Sequence, residues 1–162
     1  MIEEYGRRYE LPFNILRYGS LYGERADELN GVHRMLCQAI KEQKICHNGD
    51  GEEVREYIHA QDAARLSVDI LEGDTFRDQH LILTGVERMK QKDFIQMIQE
   101  ILNDTLEITY DGSQTEGHYR VTPYSFHPNM ARKLTLNSFI DLGQGLVECV
   151  RKIHGKELFY DD

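Results

Sequence analysis

The sequence predicts an α/β fold, because short apolar segments typical of buried strands alternate with segments of helical periodicity. Residues 13–18 and 80–84 are the clearest apolar segments, and each is followed directly by a glycine. Residues 92–102 carry the clearest helical pattern, in which apolar side chains recur on one face: Phe94, Ile95, Ile98, Ile101 and Leu102. A chain of 162 residues is long enough to bury an ordinary core around such elements.

The first third of the chain is expected to contain two helical segments and two strands. Residues 1–9 resemble the last turns of a helix, because no capping residue precedes them and a proline follows shortly after. After the strand of residues 13–18, we expect a glycine-punctuated loop over residues 19–31. A helix over residues 32–42 and a short strand over 44–47 follow. The helix would bury one apolar stripe, formed by Val32, Met35, Leu36, Ala39 and Ile40.

Residues 49–62 have the composition of a binding site. A Gly-Asp-Gly turn opens this stretch, since glycine tolerates positive φ and aspartate bonds back to its own backbone. A strand over residues 54–59 follows, and its alternation places three hydrogen-bonding side chains on one face, those of Arg55, Tyr57 and His59. Asp62 is predicted to cap a helix over residues 63–71. Spacing alone favours an exposed strand with a solvated arginine.

The second half of the chain is predicted to continue the alternation of strands and helices. A strand over residues 106–110 would end at an Asp-Gly turn. We further expect a strand over 119–121 and a short helix over 130–134. Asp141 would cap the last helix, whose inner face would carry Leu142, Leu146, Val150 and Ile153.

Charge and composition exclude several functional classes. The net charge of −9 argues against a nucleic-acid partner, because phosphate backbones are bound by positive surfaces. The chain has neither an apolar run that could span a bilayer nor an apolar signal-peptide core at residue 1, so we expect no membrane association. The three cysteines form no Cys-x-x-Cys pair and fit reduced thiols in a cytoplasmic protein. The scattered histidines argue against a metal site.

Several stretches together resemble one enzyme family. Residues 49–62 are similar to the Gly-Asp-Gly-x-x-x-Arg-Asp-Tyr-Ile-His-Val-x-Asp signature of nucleotide-sugar epimerases and dehydratases, which are extended short-chain dehydrogenases/reductases. Residues 16–23 resemble the family's Leu-Arg-Tyr-Phe-Asn-x-x-Gly stretch. Residues 83–85 and the amphipathic helix after them resemble its next strand and helix, and residues 132–134 and 141–146 resemble its closing segment, all in the same order. Within the family, the pattern is most similar to UDP-glucose 4-epimerase-like members.

The resemblance implies a fold and a division of the chain. The expected fold is the C-terminal part of a Rossmann-type NAD(P)-binding fold, with its last parallel strands and a small mixed α/β substrate-binding subdomain. Residues 1–25 would complete the Rossmann-type domain as a helix end, a strand and a loop. Residues 26–162 would form the substrate-binding subdomain with a returning strand and helices.

The resemblance also implies binding roles. Arg55 matches the arginine that binds the nucleotide diphosphate, since a guanidinium fork suits phosphate oxygens. Asn30 and Gly31 would lie near the same diphosphate, and Tyr18 and Gly19 would border the nicotinamide of NAD. Ser20 takes the place of a substrate-contacting Asn, and residues 45–48 would lie along the base, with Asn48 where many members have an aromatic residue. Arg120 or His118 would take the place of a second phosphate-binding arginine.

Most of these positions have a structural alternative. Ser20 could serve only its loop backbone, Asn30 could be a helix cap, and Arg120 could be a solvated charge on a strand. Tyr57 and His59 are expected to pack beneath Arg55 rather than to contact substrate. Arg55 is the one position for which the resemblance favours a binding role over a structural one.

The family's chemical groups are absent from this sequence. A tyrosine four residues before a lysine supplies the family's acid/base group, and none of the nine tyrosines here has a lysine at that spacing. The glycine-rich cofactor loop is absent as well. We expect both to lie upstream of Met1, so that the chain alone would be about half an enzyme, bind no NAD and have no catalytic residue.

Three hypotheses follow for the chain. The first is the nucleotide-sugar-binding portion of an NAD-dependent epimerase or dehydratase, inactive alone, with a UDP-sugar as its expected ligand. The second is a non-catalytic nucleotide-sugar-binding or assembly module, and the third is a non-functional remnant. Because the strand of residues 13–18 would expose an apolar edge, we also expect a homodimer or pairing with a separate N-terminal Rossmann half.

Overall fold

The computed structural model describes residues 1–86, 88–103, 106–112 and 131–157. The helices within these ranges are α1 (Ile2–Tyr9), α2 (Gly31–Glu42), α3 (Ala60–Glu72), α4 (Gln91–Ile101) and α5 (Leu142–Glu157). The strands are β1 (Asn14–Tyr18), β2 (Ser20–Tyr22), β3 (Lys44–His47), β4 (Val54–His59), β5 (Gln79–Leu83), β6 (Arg88–Lys90), β7 (Glu107–Tyr110) and β8 (Arg132–Leu134). None of the described helices combines the length and the apolar composition needed to cross a membrane.

The strands form three small sheets. The first is fully parallel, with the order β1-β5-β8, and β1 lies at one edge with Leu16 opposite Leu81. The second has the order β2-β4-β6, in which β2 runs parallel and β6 antiparallel to β4. The third is the parallel pair β3-β7. Parallel strands separated by helices confirm the predicted α/β class.

Two hydrophobic clusters form the core, and β4 contributes to both. Tyr57 belongs to a cluster built mainly from α2, α4 and α5, where its ring stacks on that of Phe94 at 4.3 Å between centroids. Ile58, the next residue, belongs to a cluster formed by α3 and β5. Because successive strand residues point to opposite faces, one strand serves both clusters. The predicted apolar faces of α2, α4 and α5 are confirmed as buried or packed against the first cluster.

Two predicted segments are wrong, and one strand was missed. Within the expected loop 19–31, Ser20–Tyr22 is strand β2, with Ser20 opposite Tyr57 and Tyr22 almost fully buried. Within the expected helix 130–134, Arg132–Leu134 is strand β8, parallel to β5. Strand β6 was not predicted. Three-residue strands are too short to show a period in the sequence, and only their pairing partners define them.

The cap of α3 also differs from the prediction. His59, not Asp62, occupies the N-cap position, and its Nδ1 accepts a hydrogen bond from the backbone N–H of Gln61 at 3.3 Å. Asp62 lies in the first turn, and its carboxylate accepts a hydrogen bond from the backbone N–H of Ile140 at 2.8 Å. Asp62 therefore ties α3 to the segment before α5. The predicted cap of that last helix is confirmed, since Asp141 accepts from the N–H of Gln144 at 3.1 Å.

A buried carboxylate joins the first two sheets. Glu56 on β4 is 6% exposed, and its Oε2 accepts hydrogen bonds from Thr84 Oγ1 at 3.1 Å and from Lys133 Nζ at 2.9 Å. Thr84 follows β5 and Lys133 lies on β8. A buried charge is tolerated only where it is paired and hydrogen-bonded. Glu56 therefore fixes β4, which carries Arg55, against the parallel sheet.

The substitution Glu56→Ala is expected to lower the free energy of unfolding by about 2–4 kcal/mol, because it leaves the Thr84 hydroxyl and the Lys133 ammonium without their shared acceptor. Urea denaturation followed by circular dichroism measures this change. Glu72→Ala, at an exposed position in the last turn of α3, is the matched control and should stay within about 0.5 kcal/mol of the unsubstituted chain. Equal midpoints for the two variants would contradict the role given to Glu56.

Candidate functional site

A wide cleft lies between α2 and the ends of strands β2, β3 and β4. Its volume is about 1460 Å³. Many of the residues singled out in the sequence line it, namely Tyr18, Gly19, Ser20, Asn30, Gly31, Cys46, His47, Asn48, Arg55 and Tyr57. Gln91 and Ile153 line it as well, so segments from both halves of the chain meet at one surface.

Arg55 lines this cleft from near the start of β4, as the second residue of the strand. Its side chain is half-buried, and Nη1 donates a hydrogen bond to the carbonyl oxygen of Val54 at 3.0 Å. Tyr57 lies two residues further along the same face, fully packed against Phe94, and its hydroxyl donates to Gln91 Oε1 at 2.8 Å. These contacts place Tyr57 against the core, and its packing beneath Arg55 stays a prediction. His59 instead caps α3, so it acts at the far end of the strand.

The N-terminus of α2 is held at the cleft by Asn30. The Oδ1 atom of Asn30 accepts a hydrogen bond from the N–H of His33 at 3.0 Å, and its Nδ2 donates to the carbonyl oxygen of Leu21 at 2.7 Å. The Asn30 amide is thus engaged at both atoms in capping α2 and in tying it to β2. The backbone N–H groups of Gly31 and Val32 belong to the first turn, which has no intrahelical acceptors for them. They provide a positive helix end that suits an anion.

The two predicted glycines of the site have different surroundings. A Cβ placed on Gly19 would lie 2.6 Å from the carbonyl oxygen of Glu56 and 2.7 Å from Thr84 Oγ1. Gly19 is therefore required for the close approach of three strands. A Cβ placed on Gly31 would meet no atom within 4 Å, so this position opens onto the cleft. Beside Gly19, the Tyr18 hydroxyl forms a hydrogen bond with Ser67 Oγ at 2.8 Å.

The part of the cleft beside the end of β3 contains a histidine–glutamate contact that the sequence did not indicate. His47 Nε2 lies 3.2 Å from Glu53 Oε2, and both side chains are largely buried. The His47 ring also packs edge-on against Tyr110 at 5.9 Å between centroids. Asn48 lines the same part of the cleft and is exposed. Neither the six-residue separation of His47 and Glu53 nor their types is distinctive, which explains why pattern analysis missed the pair.

The Gly-Asp-Gly turn has the predicted local chemistry. Gly49 and Gly51 have φ values of 133° and 75°, and Asp50 Oδ1 accepts a hydrogen bond from the N–H of Glu52 at 2.9 Å. Glu52 in turn accepts hydrogen bonds from Lys90 and Lys92, which hold the pKa of its carboxyl at about 2. These lysines flank the start of α4, so the turn is anchored to that helix.

Two predicted positions cannot be placed. Arg120 and His118 lie outside the described residues. Among the residues that are described, no group of three or more His, Cys, Asp or Glu side chains is arranged to hold a metal ion. The titratable groups at the cleft include Tyr57, whose burial raises the pKa of its hydroxyl well above its usual value. The Tyr57 hydroxyl is thus protonated, and its hydrogen bond is made to Gln91.

Alanine substitutions at the two glycines should separate packing from binding. Gly19→Ala is expected to lower the free energy of unfolding by about 2 kcal/mol or more, because its Cβ collides with backbone and side-chain atoms of β4 and the residue after β5. Gly31→Ala should leave this free energy unchanged or raise it by up to about 1 kcal/mol, since its Cβ meets open space in a helix. Urea denaturation measures both, and a destabilised Gly31→Ala variant would contradict the open position.

Known proteins of one family are similar to this chain. The model of the NAD dependent epimerase/dehydratase family matches residues 1–102. A putative UDP-glucose 4-epimerase from Methanocaldococcus jannaschii is 31% identical over 70 residues, which make up 41% of this chain and 23% of that protein. The matched residues include the whole of the cleft-lining segment from Tyr18 to Tyr57 in the family model.

Solved structures share the fold. The UDP-glucuronic acid 4-epimerase from Bacillus cereus, in complex with UDP-glucuronic acid and NAD, superposes with a TM-score of 0.78 at 22% identity, covering 94% of this chain and 48% of that one. The UDP-glucose 4-epimerase with UDP-glucose from Thermotoga maritima gives a TM-score of 0.75 at 21% identity, covering 96% and 50%. The dTDP-glucose 4,6-dehydratase from Streptomyces venezuelae with NAD gives a TM-score of 0.76 at 17% identity, covering 98% of this chain and 49% of that one.

The chain spans about half the length of these solved structures and about a quarter of the curated relative. Its strands and helices adopt the α/β arrangement of the Rossmann-type epimerases and dehydratases among the extended short-chain dehydrogenases/reductases. The family model covers well over half of the 162 residues. This chain therefore belongs to the NAD dependent epimerase/dehydratase family.

Proposed function

We propose that this chain is the nucleotide-sugar-binding portion of an NAD-dependent epimerase or dehydratase, and that it is inactive alone. The observation that carries this proposal is the meeting of the Arg55 guanidinium and the free N-terminus of α2 at one cleft. A forked cation and a helix N-terminus are two groups that bind phosphate oxygens well. A chain with a net charge of −9 would otherwise repel an anionic ligand.

The proposed ligand is a UDP-sugar, with its diphosphate between Arg55 and Gly31. Asn30 contributes by positioning α2, since its side chain is occupied by the cap and by Leu21. The solved relatives with UDP-glucuronic acid and UDP-glucose support the choice of a UDP-sugar. Ser20 would contact the sugar and residues 45–48 the base, while Arg120 is a second phosphate ligand by resemblance.

NAD is proposed as the cofactor of the complete fold, where it takes a hydride from a sugar carbon and returns it. Tyr18 and Gly19 would border its nicotinamide, and the half-exposed Tyr18 ring at the cleft fits this position. Gly19 would contribute only backbone atoms, because the space beside it is occupied by Glu56 and Thr84.

The tyrosine-lysine pair and the glycine-rich loop are not in this sequence, so we assign no catalytic residue here and expect no NAD binding by the chain alone. The three cysteines, none in a disulfide, support a cytoplasmic location.

Calorimetric titration with UDP-glucose tests the proposed ligand. Binding is expected, and Arg55→Ala should weaken it by about ten- to a hundredfold, because a charge-assisted hydrogen bond to phosphate is worth about 1.5–3 kcal/mol. Arg55→Lys should fall between, since a lysine cannot form the bidentate pair. Arg77→Ala, at an exposed position outside the cleft, is the matched control and should bind like the unsubstituted chain.

The outcome of this titration separates the three hypotheses. No heat with UDP-, dTDP- or GDP-sugars would overturn the binding proposal and leave a remnant without affinity. The glycine loop and the tyrosine-lysine pair can be supplied on a second chain. If the chain then binds the nucleotide-sugar but shows no epimerase or dehydratase activity, the result would favour a non-catalytic binding or assembly module. If the chain binds the nucleotide-sugar and becomes active when that second chain is added, the result would support the proposal that it is the binding portion of an enzyme.

We further propose that the chain associates through its parallel sheet edge, as a homodimer or with an N-terminal Rossmann half. Within the described residues β1 pairs on one side only, with β5. The adjacent helix α1 exposes an apolar face, and the residues of that face are Ile2, Tyr5 and Tyr9, followed by Leu11. Edge strands and exposed apolar faces both favour pairing with another chain.

Light scattering at high micromolar concentration should therefore show a dimer. Tyr5→Glu is expected to shift the population towards monomer without loss of stability, because this side chain is 60% exposed on α1. Val68→Glu, an exposed apolar position on α3, is the matched control and should leave the dimer unchanged. A monodisperse monomer for the unsubstituted chain would count against self-association.

A further inference from the structure

One face of α2 presents a row of reactive groups to the cleft. His33, Cys37 and Lys41 are spaced four residues apart, so they lie one above another along the helix, and all three line the cleft. The Sγ atom of Cys37 lies 3.5 Å from Nε2 of His33. The Cys37 side chain is half-buried and is not in a disulfide. This row has no part in the proposed contacts to the diphosphate or to NAD.

The His33 contact gives Cys37 a neighbour of the kind that can activate a thiol. An imidazole within hydrogen-bond distance can accept the thiol proton, and a neighbouring imidazolium or ammonium stabilises the thiolate, which is the reactive form. The other two cysteines lack this setting. Cys149 is 5% exposed, and burial raises the pKa of its thiol to about 11, which suppresses the thiolate. Cys46 lies on the exposed side of β3, with its backbone N–H bonded to Gln38.

We propose that Cys37 is a thiol modification site inside the cleft, activated by His33, and that a nucleotide bound in the cleft shields it. This inference rests on the proposed function only for the shielding. The row formed by His33, Cys37 and Lys41 faces the same space as the Gly31 end of α2, so a ligand seated there would cover the sulfur. The modifying reagent is a peroxide, and a soft alkylating agent would react at the same atom.

The reaction with hydrogen peroxide balances as follows. His33 takes the thiol proton, and the thiolate sulfur attacks one peroxide oxygen, so that an S–O bond forms as the O–O bond breaks. The departing hydroxide takes the proton from His33 and leaves as water. Cys37 becomes a sulfenic acid, oxidised by two electrons, and the peroxide is reduced to water. A thiol reductant reverses the modification, because sulfenic acids condense with thiols to a reducible disulfide.

The reaction is tested by labelling the full chain with limiting iodoacetamide near neutral pH and measuring each cysteine peptide by mass spectrometry. Cys37 is expected to react at least about tenfold faster than Cys46, although Cys46 is the more exposed thiol. His33→Gln should lower the rate at Cys37 by about tenfold and leave those at Cys46 and Cys149 unchanged. Peroxide followed by dimedone should place the sulfenic acid adduct on Cys37 and abolish it in Cys37→Ser.

Controls separate this inference from the proposed function. Circular dichroism and urea denaturation verify that His33→Gln remains folded, and Lys41→Gln provides a second variant that should slow labelling without touching the Cys37–His33 contact. If Cys37 reacts no faster than Cys46, or if its rate ignores both substitutions, the modification site is overturned whatever the nucleotide does. If Cys37 is reactive but UDP-glucose neither protects it nor produces heat on titration, the site stands and the nucleotide-binding proposal fails. Protection that is lost in Arg55→Ala supports both.

Discussion

Burial of β4 on both faces is the constraint on which the other elements depend. Its last four residues are almost fully inaccessible, and alternate side chains face different hydrophobic clusters. A strand shared in this way cannot shift by one residue without exchanging its two sets of side chains, because the period of a strand is two. The positions of β2 and β6 beside it, and of α3 directly after it, follow from that fixed register. Arg55 is therefore presented to the cleft by a strand with little freedom to move.

Polar groups supply the specificity of this arrangement. Glu56 reaches Thr84 and Lys133, and Asp62 reaches the backbone of Ile140, so each carboxylate joins elements distant in sequence. Buried polar groups cost free energy unless they find such partners, which penalises any packing that separates them. Beside them, His59 Nε2 and Asp62 Oδ1 have no hydrogen-bond partner among the described residues and line a cavity of about 30 Å³. A cavity of that size accommodates a water molecule bridging two polar atoms.

The cleft brings the proposed binding surface and the proposed reactive surface together on one helix. The first turn of α2 offers backbone N–H groups beside Gly31, and His33, Cys37 and Lys41 follow one another along the helix from that same turn. The two surfaces share a support, because the Asn30 cap fixes the start of the helix to β2. The shielding proposed for Cys37 depends on this shared support. This proximity is a property of the helix itself, since four residues advance the chain by about one turn.

Local pattern was sufficient for much of the fold, whereas the binding role proposed for Arg55 came from the resemblance of residues 49–62 to a family motif. Strands of four or more residues and all of the long helices were identified from the pattern of apolar residues. The motif over residues 49–62 indicated the family from the sequence alone. These features depend on side chains close in sequence, whose spacing reports directly on one face of one element. Other features could be identified only from the tertiary structure. They are the short strands β2, β6 and β8, the capping role of His59, and the contacts of His47 with Glu53 and of Cys37 with His33. A strand of three residues carries no period, and a side chain with several possible partners takes the one that packing brings within reach.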